Sequence, residues 1–208
     1  MEINAEKSRP KHSGTKPLFT NPGLEALSRT HIAVPISIYL LSSAGLGWYA
    51  FTHTALQPIM ILGLFGLGIL VFTLVEYVTH RGIFHMDPTN AIKSRLQYTF
   101  HGIHHEYPKD QTRLAMPPAL AVLIGSSLFG VTFLLLGEAA YAFFPGFLVG
   151  YAGYLFVHFI VHAYQPPRNL FKWLWINHAI HHYKDDTLNY GVSSPLWDYI
   201  FKTYSSNG

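Results

Sequence analysis

Four long apolar stretches divide the chain. His31 to Phe51 is the first, with Pro35 near its start. Pro58 to Tyr77 is the second, and Glu76 is its only charge. Ala115 to Leu136, opened by Pro117 and Pro118, is the third, and Ala139 to Val157, which runs straight on into His158, is the fourth. Each is about 20 residues, the length a helix needs to cross a hydrocarbon core of about 30 Å. A helix buried in a soluble protein keeps a polar face; these stretches have almost none. The pattern predicts an all-α integral membrane protein with four transmembrane helices, near 31–51, 58–77, 115–136 and 139–162, within a single domain over 31–208. Gly146 and Gly150 are spaced to let a neighbouring helix pack closely, or are ordinary membrane glycines. Residues 1–30, broken by Pro10, Gly14, Pro17 and Pro22, read as a flexible tail. They lack the short apolar core and small-residue cleavage site of a secretory signal.

The basic residues orient these spans. All 14 Lys and Arg fall in the tail, between the second and third stretches, or after the fourth. The loops Thr52–Gln57 and Gly137–Glu138 contain none. Four crossings therefore put every Lys and Arg on one side, which the positive-inside rule makes cytoplasmic, with both termini there. Trp48 and Tyr49 then mark the far interface, and the run 170–175 a surface helix at the near one. The sequence pI near 9.0 becomes a record of topology, and no nucleic-acid partner is expected.

Composition sharpens the chemistry. Half the residues are hydrophobic, 12% are charged, and mean hydropathy is +0.20, which argues against disorder. There are 13 histidines and no cysteine. Without thiolates, disulfides, Cys-ligated zinc, Cys-held iron–sulfur clusters and haem-thiolate are excluded, as is a Cys nucleophile.

Ten of the histidines fall in four clusters: His80 and His85; His101, His104 and His105; His158 and His162; His178, His181 and His182. The topology drawn from Lys and Arg alone puts all four at one membrane face. Residues three and four apart share a helix face, so His158/His162 and both His-x-x-His-His triplets are chelating spacings. His80 and His85 are five apart, roughly 140° around an ideal helix, and need a helix end or a break at Gly82 to converge. Neutral imidazole suits Zn, Cu, Fe and Ni. Ten imidazoles exceed one coordination sphere, so two metal ions are the economical reading. A lone histidine is better read as ordinary, which applies to His12, His31 and His53.

A metal-bound imidazole usually donates its other N–H to a carboxylate or carbonyl. Glu76, four before His80 at the end of an apolar span, is a candidate for that role, as is Asp185, whose alternative is a solvated charged face. Tyr151 and Tyr154 precede His158 by seven and four residues, on its helix face, where they line a substrate path or simply pack.

The constellation resembles the membrane fatty acid hydroxylase superfamily, which includes sterol desaturases. The matching residues are the stretch His80 to His85, the triplet His101 to His105, the pair His158/His162 and the triplet His178 to His182. Glu76-Tyr77, the run from Arg113 to Pro118, Gly191-Val192, Trp197-Asp198 and Phe201-Lys202-Thr203 make it most similar to fatty acid 2-hydroxylases of sphingolipid synthesis. The resemblance implies four spans and a cytoplasmic His-rich dimetal cap, di-iron in action, that uses O2 to hydroxylate the carbon beside an acyl carbonyl of a membrane lipid substrate. Zinc generally binds such ligand sets more tightly than Fe(II), and is an alternative occupant on isolation.

Two departures stand out. Many eukaryotic members carry an N-terminal b-type cytochrome domain, for which 30 tail residues are too few. That implies a separate electron donor, a b-type cytochrome or ferredoxin-like protein, and favours a bacterial inner membrane over endoplasmic reticulum. Leu155 stands where fatty acid 2-hydroxylases commonly have Asp. The competing readings are a sterol or carotenoid hydroxylase or desaturase with the same histidines, and a membrane metal transporter. A transport site belongs near the bilayer midplane, whereas these histidines sit at one end.

Overall fold

The computed structural model describes residues 10–206, which are helical and without strands. Short helix α1 (Pro22–Leu27) precedes α2 (Ala33–His53) and α3 (Pro58–Thr79). α4 (Ala91–Gln97) and α5 (Ile103–Glu106) follow, then α6 (Pro118–Leu136), α7 (Ala140–Ala163), α8 (Lys172–Tyr183) and α9 (Leu196–Ile200).

Local chemistry sets the boundaries. Pro58 and Pro118 open α3 and α6 at positions where the missing N–H costs nothing. Asn21 and Asn90 cap α1 and α4 through their side-chain oxygens. Gly137, at φ +57°, ends α6 in a left-handed conformation, and a single 3-10 turn leads into α7.

Three stretches are long and apolar enough to cross a membrane: Ala33–His53, Pro58–Phe84 and Gln111–Ala163. The last is 53 residues long and contains both α6 and α7. Their outward faces are apolar: Leu134 and Leu135 are 85% and 77% exposed, and Leu41 73%. Such faces suit lipid rather than water.

α7 is the central helix, packed against α3 and α2. Ring contacts give the directions. Phe72 meets Phe147, Tyr151 and Tyr154, and Gly146 lies against Phe65, so α3 and α7 run parallel. Tyr49 meets Tyr141 while Tyr39 meets Tyr151, so α2 runs the opposite way. α6 does too, since Phe129 meets Phe144 and Phe133 meets Tyr141. The C-terminal ends of α3 and α7 therefore lie at the same end of the bundle, and both carry histidines.

The expected tail is not loose over its described part. Lys11 N–H donates to Glu106 O (2.8 Å), and its ammonium pairs with the Glu106 carboxylate (2.5 Å). Arg29 pairs with Glu25 (2.9 Å), and Arg113 reaches Glu25 as well. Charge pairing holds this segment against α5, and Pro22 opens α1. Residues 1–9 lie outside the described residues.

Gly146 is where α7 touches α3 most closely. A Cβ there would sit 1.9 Å from Phe65 O, backbone that has nowhere to go. Overpacking of this kind costs about 1–3 kcal/mol. Gly146→Ala is expected to lower the thermal unfolding temperature of the purified protein by several degrees. Gly125→Ala, inside α6 where nothing lies within 4 Å of the added carbon, should not lower it.

Candidate metal centre

The ten clustered histidines form two groups. His80, His85, His101, His105 and His181 make the first; His104, His158, His162, His178 and His182 make the second. Within each group the five ligand nitrogens all lie within 4.8 Å of one another. The groups share a wall, where the His105 and His182 rings stack at 4.1 Å.

Each helix delivers its histidines in a particular way. α7 places His158 and His162 one turn apart, as the spacing predicts. α8 supplies His178 and His182 to the second group from one face, and His181 to the first. Likewise the segment around α5 gives His101 and His105 to the first group and His104 to the second. Each His-x-x-His-His triplet is therefore split between the groups, which spacing alone does not reveal.

His80 and His85 converge by another device. Residues His80–Phe84 form a π-turn, and His85 N–H donates to His80 O (3.1 Å). A π-turn brings residues five apart one above the other. The two ring centres are 5.0 Å apart. A second π-turn, Tyr98–Gly102, resets the register around His101. The break anticipated at Gly82 is a widened turn rather than a helix end.

Whether these groups suit a metal ion is a matter of geometry. Two nitrogens bound at right angles to one ion at about 2.0–2.1 Å lie about 2.9 Å apart. In the first group the Nε2 atoms of His80 and His101 are 3.0 Å apart, His101 and His105 2.9 Å, and His85 and His181 3.0 Å. In the second, His104 is 2.9 Å from His158 and 3.1 Å from His182, and His162 is 2.7 Å from His178. Facing imidazole nitrogens cannot all be donors to one another, whereas a cation satisfies every lone pair at once. The donor set is nitrogen only, which suits Zn, Fe, Cu or Ni over Mg or Ca.

Protonation favours the same outcome. Burial first, and neighbouring imidazoles after it, hold His101, His104, His105, His178 and His182 well below the ordinary 6.5. Neutral rings are what metal binding requires.

The surrounding contacts only partly match expectation. Glu76 does not touch an imidazole: its Oε1 accepts Val192 N–H (2.7 Å) and Ser193 N–H (2.9 Å). Backbone donors from the loop after α8 reach it first. Asp185 Oδ1 accepts from Thr187 N (2.9 Å) and Thr187 Oγ1 (2.6 Å), closing its own turn. Asp186 is the carboxylate near His85, at 3.8 Å from Nδ1. At His80 and His181 backbone carbonyls take the role expected of carboxylates. His80 Nδ1 meets Tyr190 O (2.5 Å), and His181 Nδ1 meets Leu188 O (2.7 Å). No side-chain pattern advertises a backbone carbonyl, so the sequence is silent on these two.

Tyr154 stacks on His158 (5.5 Å, 18°), and Tyr151 stacks between Tyr39 and Phe72. Both tyrosines pack on the apolar core that also buries Leu155, where an Asp would lie in hydrophobic surroundings. His12 and His31 stand apart: His12 stacks on Tyr183, and His31 Nδ1 accepts Ala33 N–H.

Two outcomes follow from this geometry. His104→Ala and His181→Ala each remove a ligand from a different group, so each is expected to lower bound metal, measured by mass spectrometry of the purified protein. Retention of full metal in either variant would contradict the grouping. Acidification should also weaken the metal-free fold. Unfolded imidazoles titrate near 6.5 and the buried ones lower, so stability present above pH 6.5 is lost as pH falls toward the folded values. The unfolding temperature of metal-stripped protein should fall from pH 7.5 to pH 5.5; an unchanged value would count against burial of neutral rings.

Comparison with known proteins gives these groups a context. The fatty acid hydroxylase profile matches residues 65–203, which include all ten histidines. The Saccharomyces cerevisiae ceramide very long chain fatty acid hydroxylase SCS7 is 36% identical over 94% of this chain and 52% of its own. Rat fatty acid 2-hydroxylase is 33% identical over 89% of the chain and 56% of its own. The Arabidopsis thaliana dihydroceramide fatty acyl 2-hydroxylase FAH2 is 33% identical over 83% and 70%. A solved structure described as full-length scs7p, with only the hydroxylase domain visible, superposes with a TM-score of 0.87. It is 36% identical and covers 96% of this chain and 76% of that one. The chain spans about half the length of the yeast and rat relatives. These relatives come from a yeast, a mammal and a plant, and lend no support to a bacterial inner membrane. With the profile covering well over half its length, the chain belongs to the fatty acid hydroxylase family.

Proposed function

We propose that the protein is a membrane dimetal monooxygenase that hydroxylates the 2-position of a fatty acyl chain. The observation that carries this reading is the pair of five-histidine groups, side by side at one end of an apolar bundle. α2, α3, α6 and α7 are the four crossings of a single domain over 31–208, and the histidine cap lies on the cytoplasmic side with the Lys and Arg. The substrate is an acyl lipid, either free, thioester-linked or in a sphingolipid. The named activities of the relatives, on ceramide and fatty acyl groups, support that class.

The ten histidines are the ligands, five to each of two ions, with iron the working metal and zinc a competitor for the same nitrogens. Bound redox-active ions supply the O2 activation that a C–H bond beside a carbonyl requires, since no base removes that hydrogen readily at neutral pH. The reaction consumes the acyl chain, O2, two electrons and two protons; one oxygen enters the C–H bond and the other leaves as water. The electrons come from a separate redox protein.

The chain's own residues prepare the site. Burial keeps the imidazoles neutral and their Nε2 lone pairs available. Tyr154, stacked on His158, and Tyr151 beyond it form an aromatic wall leading from the bundle core to the second group. An acyl chain entering from the bilayer lies along that wall with its carbonyl end at the histidines. The apolar surroundings keep water from competing. A sterol or carotenoid substrate is the rival within the same histidine framework.

Membranes expressing the protein with O2 and a reductant should gain 2-hydroxyacyl lipids, read by mass spectrometry. His104→Ala and His181→Ala should abolish the product. A change in sterols or carotenoids with no 2-hydroxyacyl product would overturn the acyl assignment.

A further inference from the structure

The two histidine groups are oriented differently, and the difference runs through one loop. In the first group, His181 Nδ1 faces Leu188 O (2.7 Å) and His80 Nδ1 faces Tyr190 O (2.5 Å). A carbonyl can only accept, so both rings carry their proton on Nδ1. That leaves the Nε2 lone pairs of His181 and His80 aimed at their partners, His85 and His101. The two carbonyls flank Asn189, which is left-handed (φ +53°) and 1% exposed. Asn adopts this conformation more readily than other non-glycine residues. In the second group, His104, His178 and His182 have buried Nδ1 atoms with no hydrogen-bond partner among the described residues, while His158 has the Leu114 backbone beside its ring.

The loop is gripped by a buried carboxylate. Asp198, 1% exposed at α9, accepts Tyr190 N–H (2.8 Å) and Thr203 O–H (2.8 Å) on Oδ1, and Gly191 N–H (2.8 Å) on Oδ2. Thr203 O in turn accepts Asn189 N–H (2.8 Å), and Asn189's amide pairs with the Ser205 backbone. On the other side Glu76, from the helix that carries His80, accepts Val192 and Ser193 N–H. None of these groups touches a nitrogen that faces another imidazole.

We propose that Asp198 is a positioning residue for the first histidine group alone: through the backbone of residues 188–191 it fixes the tautomer and aim of His80 and His181. This rests on the reading of the two groups as metal sites. Charge-assisted acceptance of Gly191 N–H holds directly the peptide plane whose carbonyl, Tyr190 O, faces His80. The plane of Leu188 O is held one step further out, through Asn189 N–H on Thr203 O, with the Thr203 hydroxyl anchored on Asp198. Groups one step removed from a metal ligand typically govern ten- to a hundredfold in affinity. An amide at position 198 keeps one acceptor oxygen and turns its NH2 toward an N–H or O–H donor, so Asp198→Asn should release part of the loop.

The experiment is a cycle of metal titrations on purified full-length protein, with Zn(II) competed against a chelator. In the His104→Ala background, where the first group is intact, Asp198→Asn should weaken the remaining site ten- to a hundredfold. In the His181→Ala background, where the second group is intact, the same change should leave affinity unchanged. Asn189→Gly, which keeps the left-handed backbone, should bind like the parent in the His104→Ala background; Asn189→Val should show the Asp198→Asn loss. Co(II) bound to the first group should change its visible spectrum on Asp198→Asn. Equal weakening in both backgrounds would reduce Asp198 to general support of the fold and overturn the proposal. No weakening in the His104→Ala background would overturn it as well. Wild-type protein that binds no metal would instead fail the reading beneath it, and this proposal with it.

Discussion

Ten imidazole nitrogens aimed at one another are tolerable inside a protein only if something answers their lone pairs. Nε2 atoms 2.7–3.1 Å apart in pairs, in rings that burial keeps neutral, repel unless a proton or a cation lies between them. Protons serve some pairs but not five converging nitrogens. A divalent cation serves them all, and the rest of the structure is arranged to make that convergence repeatable. The parallel run of α3 and α7 brings His80 and His158 to one end of the bundle. The π-turn after α3 adds His85, and α5 and α8 lie across the end and split their triplets between the two groups.

The frame around this end shows how a small apolar bundle carries a polar site. The long helices present leucines outward and pack on one another through aromatic rings and Gly146. The cap buries Ile103, Leu174, Ile180 and Val192 and adds polar contacts around them. Lys11 and Tyr98 pair with Glu106, next to His105; Arg113 and Arg29 pair with Glu25 and Asp110. The burial of Asp198 and Glu76 against backbone donors closes the opposite side. Buried carboxylates are costly unless every oxygen is answered, and here each accepts at least one N–H or O–H.

Much of this was legible in the sequence for physical reasons. Hydrophobic runs without a polar face announce membrane helices, and i,i+4 histidines on them announce chelation. The gathering of ten histidines was foreshadowed because imidazole in a chelating pattern has few other uses. What the sequence hid was anything built from backbone. The carbonyls of Leu188 and Tyr190, the left-handed Asn189 and the π-turn at His80 leave no side-chain signature. Glu76 was marked as an acceptor for a metal-binding imidazole, but helix spacing could not tell that a distant loop would supply its donors instead. The tail misled because proline excludes regular helix without implying disorder; its order comes from pairs 83 to 97 residues apart in the chain, which no local pattern records.

The central claim is that each five-histidine group holds its own ion. Anomalous diffraction from crystals of metal-loaded protein, recorded at the absorption edge of the bound metal, tests it most directly. The account predicts two separate peaks, one ringed by His80, His85, His101, His105 and His181, the other by His104, His158, His162, His178 and His182. A single peak, or peaks outside these two rings, would contradict it.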